Sequence, residues 1–198
     1  MLLVGLTGSI ATGKSTVAAM LRRLNFQVHD SDRAAHQLMG PGGQAVERII
    51  YLFGAEVGNM ASGINRSNLG NLVFSDPVKR DLLEQTLHPL IHKQKQQFVR
   101  HNRRQRKKVV FLDVPLLFET GGNLDCDRVI TVWCPAFLQT LRALRRQGMT
   151  EEKLSHILDA QWPQSVKCHS SDLAIPSSLG QAETFRRLKR WLRLEKLI

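Results

Sequence analysis

The chain has no run of about 18 apolar residues, so no membrane-spanning helix is expected. Its cysteines, Cys126, Cys134 and Cys168, are odd in number, far apart and without a C-x-x-C pair. That spacing excludes a disulfide framework and a cysteine zinc site, and points to reduced thiols of a cytoplasmic protein. No basic stretch followed by an apolar segment opens the chain, so a secretory signal is not expected. Aromatic residues are only 6% of the total, too few for a base-stacking platform, and no nucleic-acid-binding module is recognisable. An Asn-Lys-x-Asp guanine motif is missing, which argues against a GTPase. Acidic residues are in short supply: 17 Asp and Glu against 28 Lys and Arg leave a net charge of +11. Neither an internal repeat nor a low-complexity tract is found.

The length of 198 residues suits one α/β domain with modest insertions. Its excess positive charge gathers in Arg100, Arg103, Arg104, Arg106, Lys107 and Lys108, and again in Arg186, Arg187, Lys189, Arg190, Arg193 and Lys196. Two readings stay open for these clusters. They attract polyanions, or they are solvated helix faces with cations placed favourably near helix C-termini.

The most informative stretch is Gly8-Ser9-Ile10-Ala11-Thr12-Gly13-Lys14-Ser15-Thr16, which fits G-x-x-x-x-G-K-[ST] at every fixed position. Leu2-Leu3-Val4-Gly5-Leu6 before it reads as a buried strand, and Val17, Met20, Leu21 and Leu24 after it fall at helical spacing. A strand, a tight turn and a helix N-terminus turn successive backbone N–H groups toward one point, where the helix dipole also favours an anion. Lys14 is placed to reach the β- and γ-phosphates, and the Ser15 hydroxyl to hold magnesium. A nucleoside triphosphate is the expected ligand.

Val109–Asp113 and Val129–Trp133 are apolar runs that read as strands of a parallel sheet covered on both faces. Phe26–His29 is a shorter run, and Leu173–Ile175 a candidate edge. Helices are expected over Arg33–Met39, from Val78 to Leu87 behind an Asp76-Pro77 cap, and again from Pro89 onward. A further helix is expected over Pro135–Gln147, with Leu138, Leu141, Ala143 and Leu144 as its apolar face, and Phe185, Leu188 and Leu192 mark a C-terminal one. Between Gly40 and Gly70 the strand signals vanish, which suggests an inserted helical module. Asp30-Ser31-Asp32 directly follows the second strand, at the carboxyl end where ligands sit in open parallel sheets. One aspartate can cap the next helix and the other accept a proton from an acceptor hydroxyl.

Taken in order, Gly5-Leu6-Thr7-Gly8, Gly13-Lys14-Ser15-Thr16, Asp30-Ser31-Asp32, Leu87-His88-Pro89-Leu90-Ile91 and Asp113-Val114-Pro115-Leu116-Leu117-Phe118-Glu119 resemble the signature set of the dephospho-coenzyme A kinases. The resemblance covers nearly the whole chain, from Leu3 to about Ile175. It implies a P-loop NTPase-type three-layer α/β fold with a mainly parallel sheet. The nucleotide-binding core would comprise residues 1–30, 108–137 and 170–198, the helical substrate domain 31–107, and the lid 138–169. It implies ATP and Mg2+, with transfer to the ribose 3′-hydroxyl of dephospho-coenzyme A in the final step of coenzyme A synthesis.

By the same resemblance Asp32 is the general base, Arg66 belongs to the substrate domain, and His88, Pro115 and Leu116 line the acceptor site. His88 has an alternative reading, as a helix-boundary residue packed on Leu72 or Phe74. Arg142 and Arg146 resemble lid arginines that close over the triphosphate. They stand four apart, on one face of the expected helix, with Arg145 turned about 100° away. Asp113 occupies the place of a magnesium-orienting acid, and Glu119 is a supporting or helix-start carboxylate. The chain departs from the family pattern at Pro176-Ser177-Ser178, where an Asn followed shortly by Gly is common near the adenine. A different P-loop small-molecule kinase, or a nucleic-acid-associated ATPase, stays open as an alternative. No membrane or nucleic-acid partner is expected, and a monomer or small homo-oligomer is.

Overall fold

The computed structural model describes residues 1–74 and 76–198, the side chain of residue 74 excepted. The chain forms two compact units, one of Met1–His29 with Asn102–Ile198 and the other of Asp30–His101.

The first unit is built on a five-stranded sheet whose strands are β1 (Leu2–Thr7), β2 (Gln27–Asp30), β5 (Val109–Asp113), β6 (Arg128–Trp133) and β7 (Leu173–Pro176). They lie in the order β2-β5-β1-β6-β7. The pairs β1–β5, β1–β6 and β6–β7 are parallel, with Val4 opposite Phe111 and Arg128, and Thr131 opposite Ala174. Alternate residues therefore divide between two faces. On one face Val4, Leu6, Phe111, Ile130, Val132 and Ile175 pack with Val17 and Leu21 of α1 (Lys14–Arg23) and Leu188 and Leu192 of α9 (Gln181–Leu194). On the other, Leu117 and Phe118 pack with Val129. Both faces are covered, which is why these strands read as apolar throughout. The expected strands are all present, and Leu173–Ile175 is an edge as expected.

Three helices lie between β6 and β7 in this unit: α6 (Ala136–Leu144), α7 (Glu151–Asp159) and α8 (Gln164–His169). The helix expected over Pro135–Gln147 is thus shorter, with Arg145 as its C-cap and Gly148 in the left-handed region at φ 74°. Its buried face also differs. Leu141 is exposed, while Gln139 is buried beside Ala143. A glutamine can be buried there because both ends of its amide are hydrogen-bonded.

The second unit holds α2 (Ser31–Met39), α3 (Val46–Phe53), α4 (Arg66–Phe74) and most of α5 (Pro77–Arg104), packed around Leu38, Val46, Ile49, Phe53, Leu69 and Leu87. Asp76 caps α5 through the N–H groups of Val78 and Lys79, as the sequence suggests. The expected break before Pro89 does not occur: α5 runs through it as one helix of 28 residues. Proline costs the helix a hydrogen bond at that point. Leu87 on one side, and Leu90 and Ile91 on the other, pack against the same core and carry the helix across. The Gly40–Gly70 region is not wholly helical either. It includes a small antiparallel pair, β3 (Gly58–Asn59) with β4 (Gly63–Ile64), closed by Asn59 accepting from the N–H groups of Ala61 and Ser62. Strands of two residues leave no alternation to read. No described helix is long and apolar enough to cross a membrane.

Candidate active site

Residues 8–13 leave β1 and turn directly into α1. Gly8, at φ 157°, passes so close to β6 that a Cβ would lie 2.4 Å from the Val132 carbonyl oxygen. Gly13 is the N-cap of α1 at φ 96°, a left-handed conformation that favours glycine. Ala11, at φ 60°, also adopts the left-handed region, so the turn carries strain at a residue with a side chain.

The loop is held from outside. Gln161 Oε1 accepts the Ile10 N–H at 3.1 Å, and Gln139 Nε2 donates to the Ile10 carbonyl at 2.9 Å. Gln164 links Gln139 (2.7 Å) to the Cys134 N–H (3.1 Å), which fastens the loop to the end of β6. Inside the loop, the N–H and hydroxyl of Thr12 both donate to the Ser9 carbonyl. Ile10 and Thr12 thus spend their N–H groups on shape. Among the described residues, the N–H groups of Ala11, Gly13, Lys14 and Ser15 have no protein acceptor. Those are the donors an anion can use.

Lys14 Nζ lies 2.5 Å from Asp113 Oδ1, a carboxylate 4% exposed at the end of β5. Facing the loop is a cavity of about 320 Å³. Ala11, Gly13, Ser15 and Thr16 form one side, Arg142 and Arg146 another, and Ser177, Gln181 and Thr184 the third. Arg142 donates from Nη1 to Ser177 Oγ at 2.8 Å and from Nη2 to the Ser177 carbonyl at 3.2 Å. Among the described residues neither arginine has a carboxylate partner. Two uncompensated cations beside unpaired N–H groups make an anion site. The buried Cys134 thiol is pushed up by its burial, against an opposing pull from Arg142.

Arg146 stands beyond the end of α6, so it does not share a helix face with Arg142. A turn closed by the Arg146 N–H on the Ala143 carbonyl brings it to the same cavity, which Arg145 does not line. Pro115 and Leu116 follow β5. The Pro115 carbonyl accepts from Thr7 Oγ1 at 3.0 Å and from Lys167 Nζ at 3.5 Å. Glu119 starts no helix. It pairs at 2.7 Å with Lys167, which is fully buried, and also accepts the Trp162 N–H.

In the other unit Asp30 Oδ1 accepts the Arg33 N–H and caps α2. Asp32, in the first turn of α2, is exposed and makes no hydrogen bond or ion pair among the described residues. Arg66 begins α4 and lies 2.6 Å from His36 Nε2. His88 is exposed in the interior of α5, so it is neither a boundary residue nor packed away. The Phe74 side chain invoked for it lies outside the described residues.

Gln139, Gln164, Gln181 and Thr184 were not legible as site residues. Polar side chains inside helices give no pattern until tertiary contact supplies their partners.

A sequence model of the CoaE family, dephospho-CoA kinase, matches residues 2–183. The dephospho-CoA kinase of Rhodospirillum rubrum is 46% identical over 188 residues, covering 95% of this chain and 89% of the relative. Among solved structures, a Thermus thermophilus protein superimposes with a TM-score of 0.80 at 29% identity, covering 98% of this chain and 97% of the other. The dephospho-CoA kinase of Campylobacter jejuni gives 0.71 at 25% identity, covering 96% and 95%.

Proposed function

The chain belongs to the dephospho-CoA kinase family, and from that premise we propose how its own residues carry the reaction. That reaction is ATP-dependent phosphorylation of the ribose 3′-hydroxyl of dephospho-coenzyme A, giving coenzyme A and ADP as the last step of coenzyme A synthesis.

The triphosphate of ATP docks on the free N–H groups of Ala11, Gly13, Lys14 and Ser15. Asp113 holds Lys14 beside the loop, and the β- and γ-phosphates compete with that carboxylate for the ammonium. Arg142 and Arg146 bear on the phosphates from the opposite side and stabilise charge in the transferring group. Asp32, with no competing partner, orients the 3′-hydroxyl and accepts its proton. Arg66, His88, Pro115 and Leu116 hold the acceptor. Residues 31–107 serve as the substrate domain and 138–169 as a lid on the nucleotide-binding core.

Magnesium fits the donors present, the Ser15 hydroxyl and the Asp113 carboxylate, which are hard oxygen ligands flanking the phosphate loop. Among the described residues no cluster of His, Cys, Asp or Glu forms an all-protein cage, and Mg2+ keeps water and phosphate ligands rather than requiring one. Held by Ser15 and Asp113, it would supply positive charge that offsets the charge of the phosphates. The enzyme works in the cytoplasm as a monomer or small homo-oligomer.

The observation that carries this reading is the pair of arginines facing backbone N–H groups across one cavity, with no carboxylate partner for the former and no protein acceptor for the latter among the described residues. An ADP-release assay over dephospho-coenzyme A, adenosine, AMP, pantothenate and shikimate tests it. Turnover is expected with dephospho-coenzyme A alone, and a preference for another acceptor would sink the reading.

A further inference from the structure

Ser177 stands where three parts of the nucleotide-facing unit meet. Its N–H donates to the Trp133 carbonyl at 2.9 Å, which fixes the residue to the end of β6. Its hydroxyl donates to the Thr12 carbonyl of the phosphate loop at 2.5 Å. The same hydroxyl accepts from Arg142 Nη1, while the Ser177 carbonyl accepts from Nη2. Two nitrogens of one planar guanidinium therefore meet two oxygens of one residue, a fork that fixes orientation as well as position. Both oxygens are neutral. The cation is placed without being neutralised, so its charge stays available to an incoming anion. The packing is close as well, since a Cβ on Gly13 would lie 3.2 Å from Ser177 Cβ.

We propose that Ser177 is a positioning residue for phosphoryl transfer. Through its hydroxyl it ties Arg142 to the phosphate loop before the nucleotide arrives. Arg142 is long and flexible, and a guanidinium that must be ordered during the reaction contributes less than one already in place. The inference rests on Arg142 contacting the transferring group.

The test is steady-state kinetics with ATP and dephospho-coenzyme A on the full chain, with the thermal midpoint of each variant recorded. Ser177→Ala lowers the turnover number about tenfold, the scale of one hydrogen bond to a charged group, with KM for dephospho-coenzyme A unchanged. Ser177→Thr keeps the hydroxyl and restores most of the rate. In an Arg142→Ala background, Ser177→Ala adds nothing, because its effect runs through Arg142. If Ser177→Ala does not fold, Ser177→Cys, a weak donor of similar shape, takes its place with the same expectation. Full turnover in the Ser177 variant overturns the proposal. So does an undiminished loss in the Arg142→Ala background, which would assign the hydroxyl to the loop alone. Full turnover of Arg142→Ala by itself would instead overturn the reading of Arg142, and this inference with it.

Discussion

At the residue scale, charge placement separates groups that are identical in chemistry. Lys14 has a buried carboxylate 2.5 Å away and unpaired N–H groups beside it. Lys14→Ala should cost roughly a hundredfold or more in turnover, the loss of one charged contact to the transferring phosphoryl. The thermal midpoint should fall as well, because Asp113 is left as a buried carboxylate without its ammonium. Turnover is therefore measured well below that midpoint, where a near-normal rate would contradict the phosphate-loop assignment. Asp30 and Asp32 differ more sharply than their spacing suggests. Asp30 is engaged with the Arg33 N–H, whereas Asp32 is exposed and has no partner among the described residues. Asp32→Asn should lower turnover about 10²–10⁴-fold with ATP binding retained, since asparagine cannot take up the proton. Asp30→Asn should be mild in turnover, because an asparagine still caps a helix. Isothermal titration with ATP, set beside the two rates, separates these cases, and the reverse order would exchange their roles.

At the scale of elements, termini matter more than helix interiors. Arg146 reaches the cavity because α6 stops at Leu144 and the chain turns, whereas Arg145, at the C-cap, does not line it. Arg146→Ala should lower turnover at least tenfold, with Arg145→Ala close to the parent. Equal, slight losses in both would reduce this turn to a solvated basic segment. The other end effect is the Asp76 cap of α5. The Lys79 N–H that it accepts, with the Lys79 ammonium nearby, holds the Asp76 carboxyl below the usual carboxylate range. A carboxyl whose folded pKa is depressed stabilises the fold above its unfolded pKa. That contribution is lost as pH falls through the folded value. Asp76→Ala should therefore lower the thermal midpoint by about 2–4 °C at pH 7. The gap from the parent should close as the pH is taken into the acid range, and a gap independent of pH would rule out the charged cap.

At the scale of the whole molecule, the net charge of +11 calls for an account beyond the site. Arg103, Arg104, Arg106, Lys107 and Lys108 are all exposed, as are Arg186, Arg187, Arg190 and Arg193. Exposed charges act through a field that salt screens within about 10 Å at 0.1 M. Retention on heparin should therefore collapse with moderate salt, and added DNA should leave ADP release unchanged. DNA-stimulated turnover would give these clusters a function of their own. What the sequence determined by itself was whatever depends on neighbours along the chain. The strands Leu2–Thr7, Val109–Asp113 and Arg128–Trp133 were legible because burial on both faces demands unbroken apolar runs. The phosphate loop was legible because its glycines answer to local backbone geometry at Gly8 and Gly13. Tertiary structure decided the rest. Pro89 sits inside a helix because packing on both sides outweighs one lost hydrogen bond. Gln139 is buried, and Ser177 joins the loop to Arg142, because their partners lie 129 and 35 residues away in the chain. A polar side chain takes its role from the partner that satisfies it, and only the fold supplies that partner.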